Sequence, residues 1–197
     1  MPVKKLFLTL TLFLVASVTR AGIIPVSDVD ASSTFSTYDV VNLVNGAGLS
    51  GNLHSGDWEN KWITNATVTG TLTFDLGSIF DVASTSIWNY GGGCCGVGRS
   101  VKDLDIEASL DGVAYFSVGD FVLGQSAVSI IPSQTLALNT TARYFRFNLN
   151  SNYGAGRAGL SEVQFNGVSS SVPEPASIAL LSLGLAGLLF SRKKKYS

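Results

Sequence analysis

The chain of 197 residues has few of the residues from which common enzyme sites are built. It contains one histidine, one methionine and two cysteines, and the two cysteines are adjacent in the sequence. A single histidine excludes the paired-histidine metal motifs, and no Gly-x-Ser-x-Gly segment marks a nucleophile elbow. Two cysteines and one histidine are also too few to supply the four ligands of a structural zinc site. We therefore predict a protein that is not an enzyme.

Basic residues are scarce in the middle of the chain. Seven of the 13 lysines and arginines lie in the first 20 or the last six residues, whereas all 14 acidic residues lie between Asp28 and Glu174. A product running from Gly22 through Glu174 therefore has six basic and 14 acidic side chains, which is a net charge of −8. The few basic side chains of such a segment cannot offset the negative charge of the phosphates of nucleic acid. We expect no nucleic acid partner, and the acidity suits a bound cation.

No apolar run reaches the roughly 17–25 residues that cross a bilayer comfortably. Near the N-terminus, Lys4 and Lys5 precede an apolar run at residues 6–15, and small residues stand at positions −3 and −1 before Gly22. This pattern predicts a signal peptide at residues 1–21 that is cut before Gly22. The alternative is an uncut membrane anchor, which the short run disfavours.

The last 26 residues, 172–197, combine three features in a fixed order. Pro173, Glu174 and Pro175 come first, an apolar helical run occupies residues 176–190, and a basic cluster follows at residues 192–195. A basic cluster beside an apolar helix fits a cytoplasmic end. The arrangement resembles the PEP-CTERM sorting signal, also known as the ice-binding-protein C-terminal segment.

This resemblance implies a location and a fate. In that family the tail holds an exported protein in the inner membrane of a Gram-negative bacterium, and an exosortase then processes it near the Pro-Glu-Pro motif. We therefore expect a short transmembrane helix, an exosortase as a partner, and a final position at the cell surface or in the extracellular matrix. The polar residues 168–171 form a linker to the signal.

The segment between the two ends is rich in Gly, Ser, Thr, Val and Asn, and it has no long stretch with helical periodicity. Alternation with a period of two recurs instead, and turn residues separate the alternating runs. The carboxylates Asp103, Asp105 and Glu107 alternate with one apolar face and are expected on its solvated side. The predicted inner faces and closing strand are Leu72, Phe74 and Leu76; Leu104, Ile106 and Ala108; Phe145, Phe147 and Leu149; and residues 160–165. Several such strands predict an all-β antiparallel sandwich or barrel.

A set of segments in the middle of the chain follows a recognisable order. They are residues 42–49, His54, Trp62, and residues 72–77, 87–90, 99–103, 109–112, 142–147 and 159–163. Their order resembles a discoidin-type, galactose-binding-like domain, the coagulation factor type C domain, over residues 30–167. The resemblance implies a jelly-roll β-sandwich. Relatives of this kind often bind sugars, cell-surface glycans or lipid head groups through loops at one end, and many hold a structural calcium ion.

The resemblance also implies where calcium would bind. In the family an early loop with Asp-Gly and a late glutamate meet at the ion; this chain has Asn45-Gly46, and Glu162 matches the late glutamate. Calcium takes about six to eight oxygen ligands, and replacing a charged ligand by Asn weakens the site. We expect a structural calcium held by loop carbonyls with Asn45 and Glu162. The alternative is a tight turn at Asn45-Gly46 and a solvated strand residue at Glu162.

Sugar binding needs an aromatic face for stacking and polar groups that hold hydroxyls. Both kinds occur at loop-like positions, and the candidate ligand-binding residues are His54, Trp58, Asn89, Tyr90, Arg99 and Tyr153. In similar domains a loop histidine and an arginine can hold sugar hydroxyls. The alternatives are a surface residue or a turn contact for His54 and an ion pair of Arg99 with a carboxylate such as Asp103. Trp62 and Trp88 are expected in the core.

Cys94 and Cys95 are flanked by glycines, and the predicted exported location permits disulfides. Adjacent Cα atoms lie about 3.8 Å apart, which is shorter than the roughly 4.4–6.8 Å of an ordinary disulfide. A bridge would therefore close a strained ring. We expect a vicinal disulfide that stiffens a loop near the binding end; free thiols, intermolecular bridges and a bound metal are the alternatives.

These patterns predict a non-enzymatic, exported binding module for carbohydrate, with the cell's own exopolysaccharide as a candidate ligand. One alternative is a structural surface or matrix protein without a specific small ligand. Another is a hydrolase accessory or an enzyme of unrecognised type. The first two differ in whether the loop aromatics and His54 converge on a concave, solvent-open site.

Overall fold

The computed structural model describes residues 21–92, 96–126 and 130–170, which form an all-β domain. The predicted signal peptide up to residue 20, the Cys94–Cys95 pair and the sorting signal from residue 171 lie outside the described residues. Among the described residues, no helix has the length and apolar character that a membrane crossing requires.

The strands are β1 (Gly22–Ile24), β2 (Asp28–Ala31), β3 (Leu49–Ser50), β4 (Leu53–Ser55), β5 (Trp62–Ile63), β6 (Gly70–Asn89), β7 (Asp103–Ser109), β8 (Phe116–Val122), β9 (Ile130–Pro132), β10 (Gln134–Leu149) and β11 (Gly159–Ser169). Short 3₁₀ helices occupy Val40–Leu43, Trp58–Asn60 and Val97–Arg99.

The two long strands β6 and β10 form one bent antiparallel ribbon. Phe74 in the first half of β6 pairs with Phe145 in the second half of β10, and Ile87 near the end of β6 pairs with Gln134 at the start of β10. The register of the ribbon shifts twice. At the bend, Gly77 has a φ of +77°, which glycine adopts without the steric cost of a side chain. The bend and the register shifts let both strands run through two layers.

Each layer is built on one half of the ribbon. In the first layer, β2 lies beside the first half of β6, and β7 and β8 continue the sheet beyond β10. In the second layer, β11 pairs with the second half of β6, and β1 and β5 pair with the other edge of β11. All of these pairings are antiparallel, as the sequence predicted.

The core lies between the two layers. The three inner faces predicted from the alternation are confirmed, because all nine of their side chains are buried. Phe165 on β11 reaches these faces from the second layer. Its ring centroid lies 4.8 Å from that of Phe145, 5.4 Å from that of Phe74 and 6.0 Å from that of Phe147. The two layers therefore share one aromatic core, and the predicted β-sandwich is confirmed.

The two ends of the sandwich carry different parts of the chain. At one end, Gly22 pairs with Gly167 and Ser169 pairs with Phe80, so the chain enters and leaves the domain there. The opposite end holds the connections that follow β6 and β10, together with a small sheet of β3, β4 and β9. We call this second end the loop end. β11 has 11 residues and separates the loop end from Gly22 and Ser169 by about 35 Å, at roughly 3.3 Å per residue.

Candidate functional site

Asn89, the last residue of β6, is the hydrogen-bonding centre of the loop end. Its Nδ2 donates to the carbonyl oxygens of Val101 at 2.7 Å and Gly124 at 3.0 Å. Its Oδ1 accepts from the backbone N–H of Tyr90 at 2.9 Å and of Val101 at 2.8 Å. The side chain is fully buried and belongs to a strand, so the predicted loop-like position is wrong. Asn89 joins three segments of backbone.

Tyr90 lies in the connection after β6, at a loop position as predicted, but its side chain is buried, and two cations lie against its ring. The Lys61 ammonium nitrogen is 4.8 Å from the ring centroid, and the Arg99 guanidinium carbon is 5.7 Å from it. Arg99 Nη1 also donates to the Tyr90 hydroxyl at 3.3 Å. Arg99 itself is only partly buried. Tyr90 therefore positions Arg99 at the loop end.

Lys61 is a functional candidate that the sequence reasoning missed. It is fully buried, and its Nζ donates to the carbonyl oxygen of Gly56 at 2.7 Å and to that of Gly91. Burial lowers the pKa of Lys61 to about 8, while the charge of Asp57 acts in the opposite direction. Lys61 thus links the segment that carries Trp58 to the glycine-rich connection after β6.

Trp58 lies in the 3₁₀ helix Trp58–Asn60 and is 45% exposed. Its ring centroid is 5.7 Å from that of Tyr38, which is 6.2 Å from that of Phe35. On the other side of Phe35, the guanidinium carbon of Arg157 lies 4.0 Å from the ring centroid. We call Phe35, Tyr38 and Trp58 the aromatic row. Of the row, Trp58 is the exposed member, and its ring packs against Tyr38 at a tilt of 53°.

The other residues singled out in the sequence either lie in the core or bond to the backbone of neighbouring segments. Trp62 and Trp88 are buried in the core, as predicted. Tyr153 is partly buried, and its hydroxyl donates to the carbonyl oxygen of Leu123 at 2.7 Å. His54 lies in β4 rather than in a loop and is buried, so its predicted position is wrong.

Glu162 and the early loop meet, as the resemblance implied. Both carboxylate oxygens of Glu162 accept from the backbone N–H of Gly46, at 3.2 and 3.3 Å. Glu162 is buried rather than solvated, and burial raises its pKa to about 8. Asn45 uses its side chain within the loop, because Oδ1 accepts from Ala47 N–H at 2.8 Å and Nδ2 donates to Asn42 Oδ1 at 3.2 Å.

The residues around Glu162 can be compared with the ligands that a bound cation requires. Within residues 21–92, 96–126 and 130–170, no basic side chain forms a salt bridge with Glu162. The same residues contain no cluster of three His, Cys, Asp or Glu side chains that would hold a metal by themselves. A buried carboxylate without a basic partner fits a hard cation, and the remaining oxygen ligands would have to be carbonyls.

Comparison with protein families identifies the domain. Residues 28–163 match the F5/8 type C domain, which is more than half of the chain, so the chain belongs to this family. Residues 171–194 match the PEP-CTERM protein-sorting motif, which confirms the predicted sorting signal. A sequence search of curated proteins finds no match.

Solved structures share this fold at low sequence identity. The family 32 CBM of Clostridium perfringens NanJ in complex with galactose has a TM-score of 0.57 at 17% identity, over 75% of this chain and 99% of that one. A fucose binding module of Streptococcus pneumoniae has a TM-score of 0.56 at 17% identity, over 73% and 96%. A putative chitobiase fragment of Bacteroides thetaiotaomicron has a TM-score of 0.58 at 16% identity, over 81% and 99%. These likenesses confirm the galactose-binding-like β-sandwich.

Proposed function

We propose that the chain is an exported, surface-sorted, non-enzymatic module that binds carbohydrate at the loop end. The observation that carries the proposal is Trp58, which is 45% exposed and packed against Tyr38. An exposed aromatic face stacks on the apolar side of a pyranose, and a side chain that is already packed loses little freedom on binding. The NanJ module in complex with galactose and the fucose binding module share the fold, which supports a saccharide as the ligand class.

Two of the predicted polar residues lie at the surface that such a ligand would contact. Arg99 and Tyr153 are partly exposed at the loop end. Arg99 offers several N–H donors to sugar hydroxyls, and Tyr90 holds its guanidinium in place. Asn89 and Tyr90 act behind this surface, as supports for the groups that touch the ligand.

The alternative is a structural surface or matrix protein without a specific small ligand. The burial of His54, Asn89 and Tyr90 favours it, because three of the six predicted ligand contacts do not reach the surface. The two functions differ in one measurable property. Only the binding module would bind a saccharide with an affinity that depends on Trp58.

The test is binding of the full chain, in detergent micelles, to purified exopolysaccharide and to a panel of glycans. Trp58→Ala is expected to weaken binding about tenfold or more, because it removes the stacking face. Phe116→Ala is the matched control: Phe116 is 47% exposed, at the start of β8 and away from the loop end. Equal binding by the native chain and Trp58→Ala would contradict the proposal.

We also propose that residues 1–21 are a cleaved signal peptide and that residues 176–190 form a transmembrane helix. An exosortase would process the chain near Pro173, Glu174 and Pro175 and release it to the cell surface. The match of residues 171–194 to the sorting motif supports this route. Intact mass of the surface protein is expected to correspond to a chain that starts at Gly22 and ends near Pro175. A chain of full mass in the inner membrane would count against it.

A structural calcium ion is the third part of the proposal. Glu162 would hold it together with carbonyl oxygens of the loop around Asn45. The buried carboxylate beside Gly46 supports this assignment, because a divalent cation would offset the cost of burying its charge.

A further inference from the structure

The end of the sandwich at which the chain enters and leaves the domain presents apolar side chains to solvent. Ile23 on β1 is 65% exposed, and Ile79, close to the bend of β6, is 43% exposed. The carbonyl oxygen of Ile79 accepts from the backbone N–H of Ser170 at 3.3 Å, so Ile79 lies beside the point where the chain leaves the domain. Val168 is partly exposed in the last stretch of β11. We call the surface formed by Ile23, Ile79 and Val168 the exit face.

Two hollows flank the last residues of β11 at the exit face. Their volumes are about 370 Å³ and about 320 Å³, and Gly167 and Val168 line both of them. The smaller hollow also contacts three apolar side chains, those of Ile23, Pro25 and Phe80. Exposed apolar side chains beside such hollows mark a surface that contacts a protein or a membrane.

The exit face carries little charge. Among the described residues that line the two hollows, Asp81 is the only acidic one and none is basic. The carboxylate of Asp81 accepts from the Thr141 hydroxyl at 2.6 Å. Cleavage before Gly22, as proposed above, would place a new α-amino group beside the smaller hollow, and such a group is positively charged at neutral pH. The exit face would then be close to neutral, although the segment from Gly22 through Glu174 has a net charge of −8. Phosphate groups therefore repel this face less than they repel the rest of the domain.

The proposed anchor begins close behind the exit face. Only residues 171–175 separate Ser170 from the apolar run at residues 176–190, and a segment of this length spans at most about 17 Å when fully extended. As a helix, residues 176–190 would be about 22 Å long, which is about 8 Å less than the hydrocarbon core of a bilayer. The bilayer would thin around such a helix, or residues of the linker would be drawn into it. The headgroup layer takes a further 6 Å or about that. The linker therefore leaves at most about 11 Å between the exit face and the headgroups.

The other predicted membrane segment adjoins the same end of the domain. Residues 6–15 form the apolar run of the signal peptide, and Gly22, which follows the predicted cleavage site, pairs with Gly167 at the exit face. Before cleavage, both membrane segments would hold the chain through this one end. After cleavage, the anchor at residues 176–190 would hold it there alone. Both stages place the membrane on the side of the exit face and opposite the loop end.

We propose that the exit face is a membrane-docking surface. While the chain is anchored, Ile23, Ile79 and Val168 lie in the headgroup region of a phospholipid bilayer. This inference rests on the anchor of the proposed function. A weak apolar contact suffices, because the anchor makes the contact intramolecular and gives the face a high effective concentration of lipid. Docking here holds the loop end, with Trp58, about 35 Å from the bilayer surface, at roughly 3.3 Å per residue of β11. The exit face lies at the opposite end from the loops to which the family resemblance assigns ligand binding.

Tryptophan fluorescence of the full chain, inserted in phosphatidylcholine nanodiscs, tests this orientation. The three native tryptophans lie in the loop-end half of the domain, so a tryptophan introduced at the exit face is a separate reporter. Ile23→Trp and Ile79→Trp are expected to lose emission when lipids brominated near the headgroup replace the ordinary lipids, because bromine quenches tryptophan on contact. Ile130→Trp is the matched control. Ile130 is 62% exposed in β9 at the loop end, and the emission of this variant should not change.

Flotation of the chain with lipid vesicles separates the failure of this inference from that of the proposed anchor. If the chain floats but bromine leaves the emission of Ile23→Trp and Ile79→Trp unchanged, the exit face stands away from the bilayer and this inference alone is overturned. Protection of both reporters from aqueous iodide without quenching by bromine would also overturn it, because the linker or a second copy of the chain would then cover the face. If the folded chain does not float, both the anchor and this inference are overturned.

Discussion

The backbone N–H of Gly46 donates to both carboxylate oxygens of Glu162, at 3.2 and 3.3 Å. This contact joins the loop after the first 3₁₀ helix to β11, 116 residues further along the chain. It places a buried carboxylate beside the loop whose carbonyl oxygens would complete a calcium site. Its partner is an N–H and not a cation, so burial still raises the pKa of Glu162 to about 8, and a bound cation would favour the ionised form.

Calcium is expected to stabilise the folded chain through this carboxylate. A ligand that binds only the folded state adds about 2.7 kcal/mol at a concentration one hundred times its dissociation constant. Scanning calorimetry should therefore show a higher melting temperature in calcium chloride than in EDTA. Glu162→Gln should lose this difference, whereas Glu107→Gln, on a partly exposed outer position of β7, should keep it. An identical midpoint for the native chain in calcium and in EDTA would rule the site out.

Lys61 is expected to give the stability of the domain a characteristic dependence on pH. Its folded pKa of about 8 lies below its ordinary value of 10.5, so the unfolded chain binds more protons between these values. Stability should therefore rise as the pH increases from about 8 to about 10.5. Lys61→Met should abolish this rise, and at pH 7 it should cost about 1–2 kcal/mol, because the carbonyls of Gly56 and Gly91 lose their donor.

Urea unfolding at several pH values measures both effects. Lys102→Met is the matched control, because Lys102 is exposed and its loss should leave the pH dependence unchanged. If the stability of the Lys61→Met variant rises above pH 8 as that of the native chain does, a group other than Lys61 titrates there and the prediction is wrong.

Asn89 is expected to support the loop end through its internal hydrogen bonds. Asn89→Ala leaves two carbonyl oxygens and two N–H groups without their partner, so it should destabilise the domain by about 3 kcal/mol or more. Asn166→Ala removes one bond, to Ser86 at 3.3 Å, and should cost under about 1 kcal/mol. Equal losses in the two variants, measured by urea unfolding, would contradict a central role for Asn89.

Cys94 and Cys95 are expected to form a vicinal disulfide in the exported protein. Glycines on either side adopt left-handed φ values, +64° at Gly92 and +72° at Gly96, which side chains rarely adopt. Because the chain has only these two cysteines, intact mass should fall below that of the reduced chain by about two hydrogen masses. Complete alkylation without a reductant would show free thiols instead.

The sandwich could be predicted from the sequence because strand alternation is a local signal. Leu104 and Ile106 are buried while Asp103 and Asp105, which alternate with them, stay partly exposed, as the period of two requires. The meeting of Glu162 with the early loop was also predictable, but from the family resemblance alone. Nothing in the spacing of two residues so far apart indicates contact.

The burial of the candidate ligand residues could not be predicted in this way. His54 follows two turn glycines and has the flanks of a loop residue, yet it is buried because β4 pairs with β9, which places His54 opposite Ile131. Lys61 precedes a short strand, where a lysine is ordinarily solvated, and it is buried because Gly56 and Gly91 accept from its ammonium. Both outcomes depend on distant segments that no local pattern encodes.

The most direct test of carbohydrate binding at the loop end is a broad glycan array probed with the full chain, with folding verified by a cooperative thermal transition. We predict that the native chain binds at least one class of saccharide, that Phe116→Ala binds it equally, and that Trp58→Ala loses about tenfold or more in affinity. A folded native chain that binds no glycan on the array would contradict carbohydrate binding at the loop end.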